Sequence, residues 1–189
     1  RNQDRFFPLL FVFLWSTGFI AAKYIKPYAP PFYFLTYRYV IASLVLFIAA
    51  AVLKESLKLT KQQFLHSAGV ALLLHTIYIG GVFYAVSLGV TSGVSAVIVS
   101  LQPVLVGILA VPFLGERLHK IEVIGLGLGL TGVAILLLPK IFQGDVSMNF
   151  SAAGIFSCVI ALFGTTGGYL LQKRTSSGIP LITGTAVQY

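Results

Sequence analysis

Charge is what this sequence has least of. Of its 189 residues only 10% are Asp, Glu, Lys or Arg, with five acids among them, whereas 57% are hydrophobic. So little polar surface excludes a soluble globular domain of this size, and a mean hydropathy of +0.93 places the chain in a bilayer. Cysteine is nearly absent as well. Cys158 stands alone in an apolar stretch, so no intramolecular disulfide can form and no redox compartment is indicated. No Asp or Glu falls inside an apolar stretch, which leaves carboxylate-based proton coupling without support. There is likewise no intramembrane aspartate pair and no His/Glu metal spacing, and Gly93-Val94-Ser95-Ala96 reads as a helix start rather than a nucleophile motif. Neither an enzyme nor a cofactor is expected. The net charge of +8 comes from basic residues scattered in ones and threes between apolar runs, a topology signal rather than a nucleic-acid face.

What the chain has in abundance is apolar runs of bilayer length. The central one, Gly93–Leu114, spans roughly 33 Å at about 1.5 Å per residue, enough for a hydrocarbon core of about 30 Å. Ser92 is its expected N-cap, Gln102-Pro103 interrupts it near the middle, and Glu116-Arg117 marks the far water boundary. No charged residue occurs from Gln62 to Gly115, which is more than one crossing can hold. The break is expected at Gly89–Gly93. The expected spans are 6–22, 32–53, 67–88, 93–114, 123–138 and 150–171, with 179–189 beginning a further one that the sequence cuts short. Lys26–Pro31, Lys54–Lys61, Glu116–Glu122 and Lys140–Asn149, with a Gly144-Asp145 turn, are the connections. The first run begins like a signal peptide, but further spans follow at once, so it is expected to stay. Pro139 is expected to stop the fifth span, and Gly125, Gly129 and Gly132 share a face there that permits close helix approach.

Three segments carry a family resemblance: Leu14-Trp15-Ser16-Thr17-Gly18-Phe19 followed by Lys23, Pro31 to Arg38, and Gln102-Pro103 with the closing Phe113-Leu114-Gly115-Glu116-Arg117-Leu118. Together they resemble the first, second and fourth helices of EamA-family transporters in the drug/metabolite transporter superfamily. That resemblance implies ten helices in two five-helix repeats. It implies alternating-access transport of a small polar or amphipathic metabolite or drug, with no choice of substrate. A non-transporting membrane protein, acting on lipid or as an assembly partner, is the alternative, and a channel filter motif is absent.

The loop charges orient the spans. Arg1, Arg5, Lys54, Lys58, Lys61, Arg117, Lys120, Lys173 and Arg174 fall on one side, against Lys23, Lys26 and Lys140 on the other. The N-terminus is therefore expected in the cytoplasm of an integral protein of a bacterial inner membrane. Sliding residues 1–39 onto 151–189 pairs Phe6 with Phe156, Phe13 with Phe163, Gly18 with Gly168, Lys23 with Lys173, Pro30 with Pro180 and Tyr39 with Tyr189. An odd number of spans separates the copies, so the expected fold is an all-α polytopic membrane protein with an inverted repeat: one full five-helix repeat over 1–149 and the start of a second over 150–189.

Polar groups at membrane depth are the candidate site. Arg38 either contacts a carboxylate or phosphate of the substrate, or snorkels outward or pairs with backbone carbonyls. Lys23 either joins it in an outward-facing basic vestibule or anchors the helix at the interface. Trp15 is a cavity wall or core packing, and Ser16 and Thr17 line the cavity or bond their own backbone. His75 and Tyr78 project from neighbouring parts of one face, His75 as a proton relay or a structural histidine. Ser95 and Gln102, seven apart, are expected on one face of the fourth span, beside a carbonyl freed by Pro103. The expected partners are a small-molecule substrate and the lipid bilayer, with a homodimer left open and no nucleic acid.

Overall fold

The computed structural model describes residues 3–115, 120–142 and 151–189. The helices are α1 (Gln3–Ile25), α2 (Pro31–Val52), α3 (Lys61–Ala71), a π-helix (Leu72–Gly80), α4 (Gly81–Ser87), α5 (Ser92–Val99), α6 (Gln102–Leu114), α7 (Lys120–Phe142), α8 (Ala152–Thr175) and α9 (Leu181–Gln188). Pro31–Val52, Lys61–Ser87, Ser92–Phe113 and Ala152–Thr175 are long and apolar enough to cross a bilayer. The chain is an all-α polytopic membrane protein, with large apolar side chains such as Phe13, Leu44, Ile48 and Phe163 exposed on its outside.

Local chemistry sets the helix ends. Pro31 opens α2, where its missing N–H and fixed φ cost nothing. Thr60 and Gln63 form a capping box at α3: the Gln63 N–H donates to Thr60 Oγ1 at 3.2 Å and the Thr60 N–H to Gln63 Oε1 at 2.9 Å. The third crossing is thus continuous from Lys61, with its polar first turn part of the same rod. At the fourth crossing the cap is Thr91, one residue before the expected Ser92, its Oγ1 accepting from the Val94 N–H at 3.3 Å. That crossing is not one helix: the α-helical pattern stops at Val99 and restarts at Gln102, because Pro103 has no N–H to give to the Val99 carbonyl. Gly115 ends α6 in the left-handed conformation at φ 68°. α7, the helix of the expected fifth span, does not stop at Pro139 but runs on to Phe142. Glu116, Arg117 and the 143–150 connection with its Gly144-Asp145 turn lie outside the described residues.

The core is built around α8. It packs against the π-helix, α3, α4, α5 and α6. Small residues make this possible: a Cβ at Gly164 would stand 2.6 Å from Ile77 Cγ2 and 3.0 Å from the Leu73 carbonyl, and one at Gly168 2.6 Å from Leu74 Cδ2. The π-helix lies against these two glycines, which leave room for its wider turns. On the next turns Ser157 Oγ donates to the Gly81 carbonyl at 2.9 Å, and the Cys158 thiol to Ser95 Oγ at 3.4 Å. Among the described residues nothing lies within 4 Å of where a Cβ would stand at Gly125, Gly129 or Gly132, the face on α7 expected to permit close approach.

α9 and the turn before it are held by α2, by the connection that follows α2 and by α3. Ser43 Oγ donates to the Ala186 carbonyl at 2.9 Å, and Gln63 Nε2 to the Gly178 carbonyl at 2.8 Å. The Glu55 carboxylate accepts from the Thr183 N–H at 2.7 Å in the first turn of α9. This bond, with help from the Ile182 N–H, holds the Glu55 carboxyl below its ordinary value of 4.5. Pro180 caps α9 at φ −55°, ψ 129°, close to the φ −57°, ψ 140° at which Pro30 caps α2.

Candidate functional site

The π-helix turns His75 and Tyr78 inward, toward α1 and α2, and a cavity of about 290 Å³ opens between these elements and Tyr189. Its wall is almost wholly apolar and aromatic, with Trp15, Phe19, Leu74, Tyr78 and Phe83 prominent. Arg38 is the one charged side chain among the described residues that line it. Trp15 stacks on Tyr78 with ring centroids 5.9 Å apart and planes 16° from parallel, and a side-chain hydrogen bond joins the pair. His75 lies between two tyrosines. Its ring meets Tyr39 edge-on at 5.4 Å and Tyr189 at 4.3 Å, while Tyr39 and Tyr189 stand 5.7 Å apart. The Tyr39 hydroxyl donates to the His75 carbonyl at 3.0 Å, tying α2 to the π-helix. His75 Nδ1 is buried with no partner among the described residues.

A second, larger cavity of about 890 Å³ lies on the other side of Trp15, Phe19 and Leu74, which border both. α1, α5, α6 and α8 enclose it. Its polar groups are neutral, among them Ser16, Ser100, Gln102, Thr165, Tyr169 and Gln172, and no charged side chain is among the described residues that line it.

The expected site residues therefore divide. Trp15, Arg38, His75 and Tyr78 meet in the first cavity, and Trp15, Ser16 and Gln102 in the second. Ser16 also donates to the Val12 carbonyl at 2.8 Å. Thr17 lines neither cavity and donates to the Leu14 carbonyl at 2.6 Å. Lys23 is exposed near the end of α1 and is not among the described residues that line the Arg38 cavity. Ser95 is not among the residues that line the Gln102 cavity: it is fully buried against Cys158, and the α-helical pattern is interrupted between the two at Ser100-Leu101. Sequence reasoning missed Tyr189, Thr165, Tyr169 and Gln172. A signal existed for Tyr189, the repeat partner of Tyr39, and for Thr165 and Gln172, polar residues seven apart on one apolar helix.

No cluster of three or more His, Cys, Asp or Glu able to hold a metal occurs among the described residues.

The model of the EamA-like transporter family matches residues 6–138. The chain is 32% identical over 183 residues to an uncharacterized transporter, YvbV, of Bacillus subtilis, covering 94% of this chain and 56% of that protein. It is 28% identical over 167 residues to an uncharacterized transporter of Archaeoglobus fulgidus, covering 87% and 57%, respectively. A chloroplastic WAT1-related protein of Arabidopsis thaliana is 32% identical over 165 residues, covering 87% of this chain and 39% of its own. The chain thus spans about half the length of the first two relatives. No solved structure gives a significant match.

Proposed function

The chain belongs to the EamA-like transporter family, and from that premise we propose that it forms the first half and a little more of a secondary transporter. Its cargo is a small amphipathic molecule with an anionic group, moved by alternating access. Residues 1–149 make the first five-helix repeat and 150–189 the start of an inverted second one. The N-terminus is cytoplasmic and the membrane is the bacterial inner membrane. The like-for-like caps at Pro30 and Pro180 support the repeat. So does the meeting of Tyr39 with Tyr189, because two residues equivalent under a twofold axis touch only where that axis passes.

The observation that carries the cargo class is Arg38. A guanidinium at membrane depth is costly and calls for an opposite charge or a wet path. Among the described residues no carboxylate pairs with it, and it lines a cavity otherwise walled by rings and aliphatic side chains. An aromatic or amphipathic carboxylate fits both the charge and the walls, with Trp15 and Tyr78 offering a ring face. His75 and the two tyrosines close the α9 end of the cavity and orient the ligand.

The test is ligand-dependent thermal stability of the full-length protein in detergent, wild type beside Arg38→Ala, against organic acids, amino acids, amines and drugs. A ligand at a hundred times its Kd stabilises by about 2.7 kcal/mol. Anionic amphiphiles should raise the wild-type midpoint and leave that of Arg38→Ala unmoved. Stabilisation of both proteins by the same cations, and by no anion, would overturn the assignment.

A further inference from the structure

α8 carries two consecutive threonines, Thr165 and Thr166, both buried. A helical threonine commonly gives its hydroxyl proton to the carbonyl four residues back. Thr166 does so with Leu162 at 2.7 Å, and Thr175 with Leu171 at 2.8 Å. Thr165 does not. It is 0% exposed, its Oγ1 has no partner among the described residues, and it lines the larger cavity. A buried hydroxyl left unpaired costs free energy, and a bound polar group removes that cost. Gln172, two turns further along the same face of α8, and Gln102, at the start of α6, line the same cavity. Each of the three side chains both donates and accepts, and none carries a charge.

This arrangement is specific about what it takes. A cavity without charge but with a hydroxyl and two primary amides suits a neutral group that also donates and accepts, an amide or an alcohol. It would gain little from a hydrocarbon and would not neutralise an ion. Trp15, Phe19 and Leu74 line both this cavity and the Arg38 cavity, so the two adjoin and a ligand held against Trp15 lies at the border of each. We propose that Thr165, Gln102 and Gln172 form a hydrogen-bonding subsite for an amide or hydroxyl borne by the molecule whose anionic group meets Arg38. The cargo is then an amphipathic anion that also carries an uncharged polar group, such as an acylated amino acid or a hydroxy acid. The anionic half of this assignment rests on the function proposed above.

The experiment measures the Kd of benzoate and of its glycine conjugate, hippurate, for the full-length protein in detergent by calorimetry. Hippurate adds an amide between ring and carboxylate. It should bind wild type about tenfold tighter than benzoate, the worth of one good hydrogen bond. Thr165→Val keeps the shape of the side chain and removes the hydroxyl. It should erase most of that preference while changing benzoate by less than twofold, and Gln102→Leu should do the same. The ligand-free thermal midpoint of Thr165→Val should match or exceed that of wild type, since an unpaired buried hydroxyl has been removed.

Hippurate binding wild type no tighter than benzoate would overturn the proposal. So would variants that weaken both probes equally, or a lower midpoint in Thr165→Val with no effect on either probe, because the hydroxyl would then serve packing inside the protein. Arg38→Ala separates the two assignments. If it weakens neither probe while the amide preference persists, the anion contact falls and the subsite stands; if it weakens both while Thr165→Val and Gln102→Leu change nothing, the reverse holds.

Discussion

Replacing Gly164 with alanine tests whether the approach of α8 to the π-helix is as tight as the geometry implies. The new Cβ would stand 2.6 Å from Ile77 Cγ2, 3.0 Å from the Leu73 carbonyl and 3.1 Å from Ile77 Cβ. A flexible side-chain tip could yield, but the Leu73 carbonyl is backbone and Ile77 branches at Cβ, so the helices themselves must part. Overpacking of this kind costs about 1–3 kcal/mol, and a backbone clash belongs in the upper half of that range. The better helix propensity of alanine returns about 0.8–1.0 kcal/mol. The net loss is about 1–2 kcal/mol, a fall in thermal midpoint of about 2–8 °C for a chain of this size. Gly167→Ala is the internal control on the same helix. Its nearest neighbour, Leu73 Cδ1, lies at 3.8 Å, an ordinary contact, so it receives the propensity gain without the clash. Thermal unfolding of both variants in detergent decides the matter: equal midpoints for the two, or a Gly164→Ala protein as stable as wild type, would refute the packing described for α8.

Two further outcomes follow from hydrogen bonds that join distant parts of the chain. Tyr39→Phe removes the donor to the His75 carbonyl and should cost about 0.5–1.5 kcal/mol in thermal or denaturant unfolding, with weaker binding of any ligand that touches His75. Glu55 has a carboxyl held below its ordinary value by the Thr183 N–H. Its charge therefore stabilises the fold fully above the unfolded value near 4.5, and that contribution is lost as pH falls through the lower folded value. The thermal midpoints of wild type and Glu55→Gln should accordingly differ at pH 6–7 and converge toward pH 3; a constant gap across that range would refute the role given to the charge.

Much of the architecture is legible in hydropathy, because a bilayer forces apolar runs of one length and loops where glycine, proline and charge interrupt them. The cavity lined by Trp15, Arg38, His75 and Tyr78 is legible for a related reason: polar and aromatic groups at membrane depth need a partner or a cavity. What escaped the sequence depended on helical phase. Ser95 and Gln102 lie seven apart, which puts them on one face only if the helix between them is unbroken, and Pro103 breaks it. The π-helix likewise changes which residues of the third crossing face inward, and no periodicity of 3.6 foresees it. The close approach could not be placed on α7 or α8 by spacing alone, since Gly125, Gly129 and Gly132 form as good a small-residue face as Gly164 and Gly168. Only the neighbour decides which glycine is needed. Thr165 and Thr166 are indistinguishable in sequence, and their hydroxyls part company through packing.

α8 has a bearing on how the protein is made. The segment that matches the family model ends at residue 138, yet the helix against which α3, the π-helix, α4, α5 and α6 all pack begins at Ala152. During synthesis these elements enter the membrane as two segments, Lys61–Ser87 and then Ser92–Phe113. They stand without their common neighbour until α8 emerges. Nascent chains halted before Ala152 should present loosely associated helices to membrane quality control, whereas chains that have passed Tyr189 carry α8, the Glu55 bond to α9 and the Gln63 bond to the turn before it. Resistance to proteolysis should therefore arise late and abruptly, as the segment from Ala152 to Tyr189 is added, rather than helix by helix.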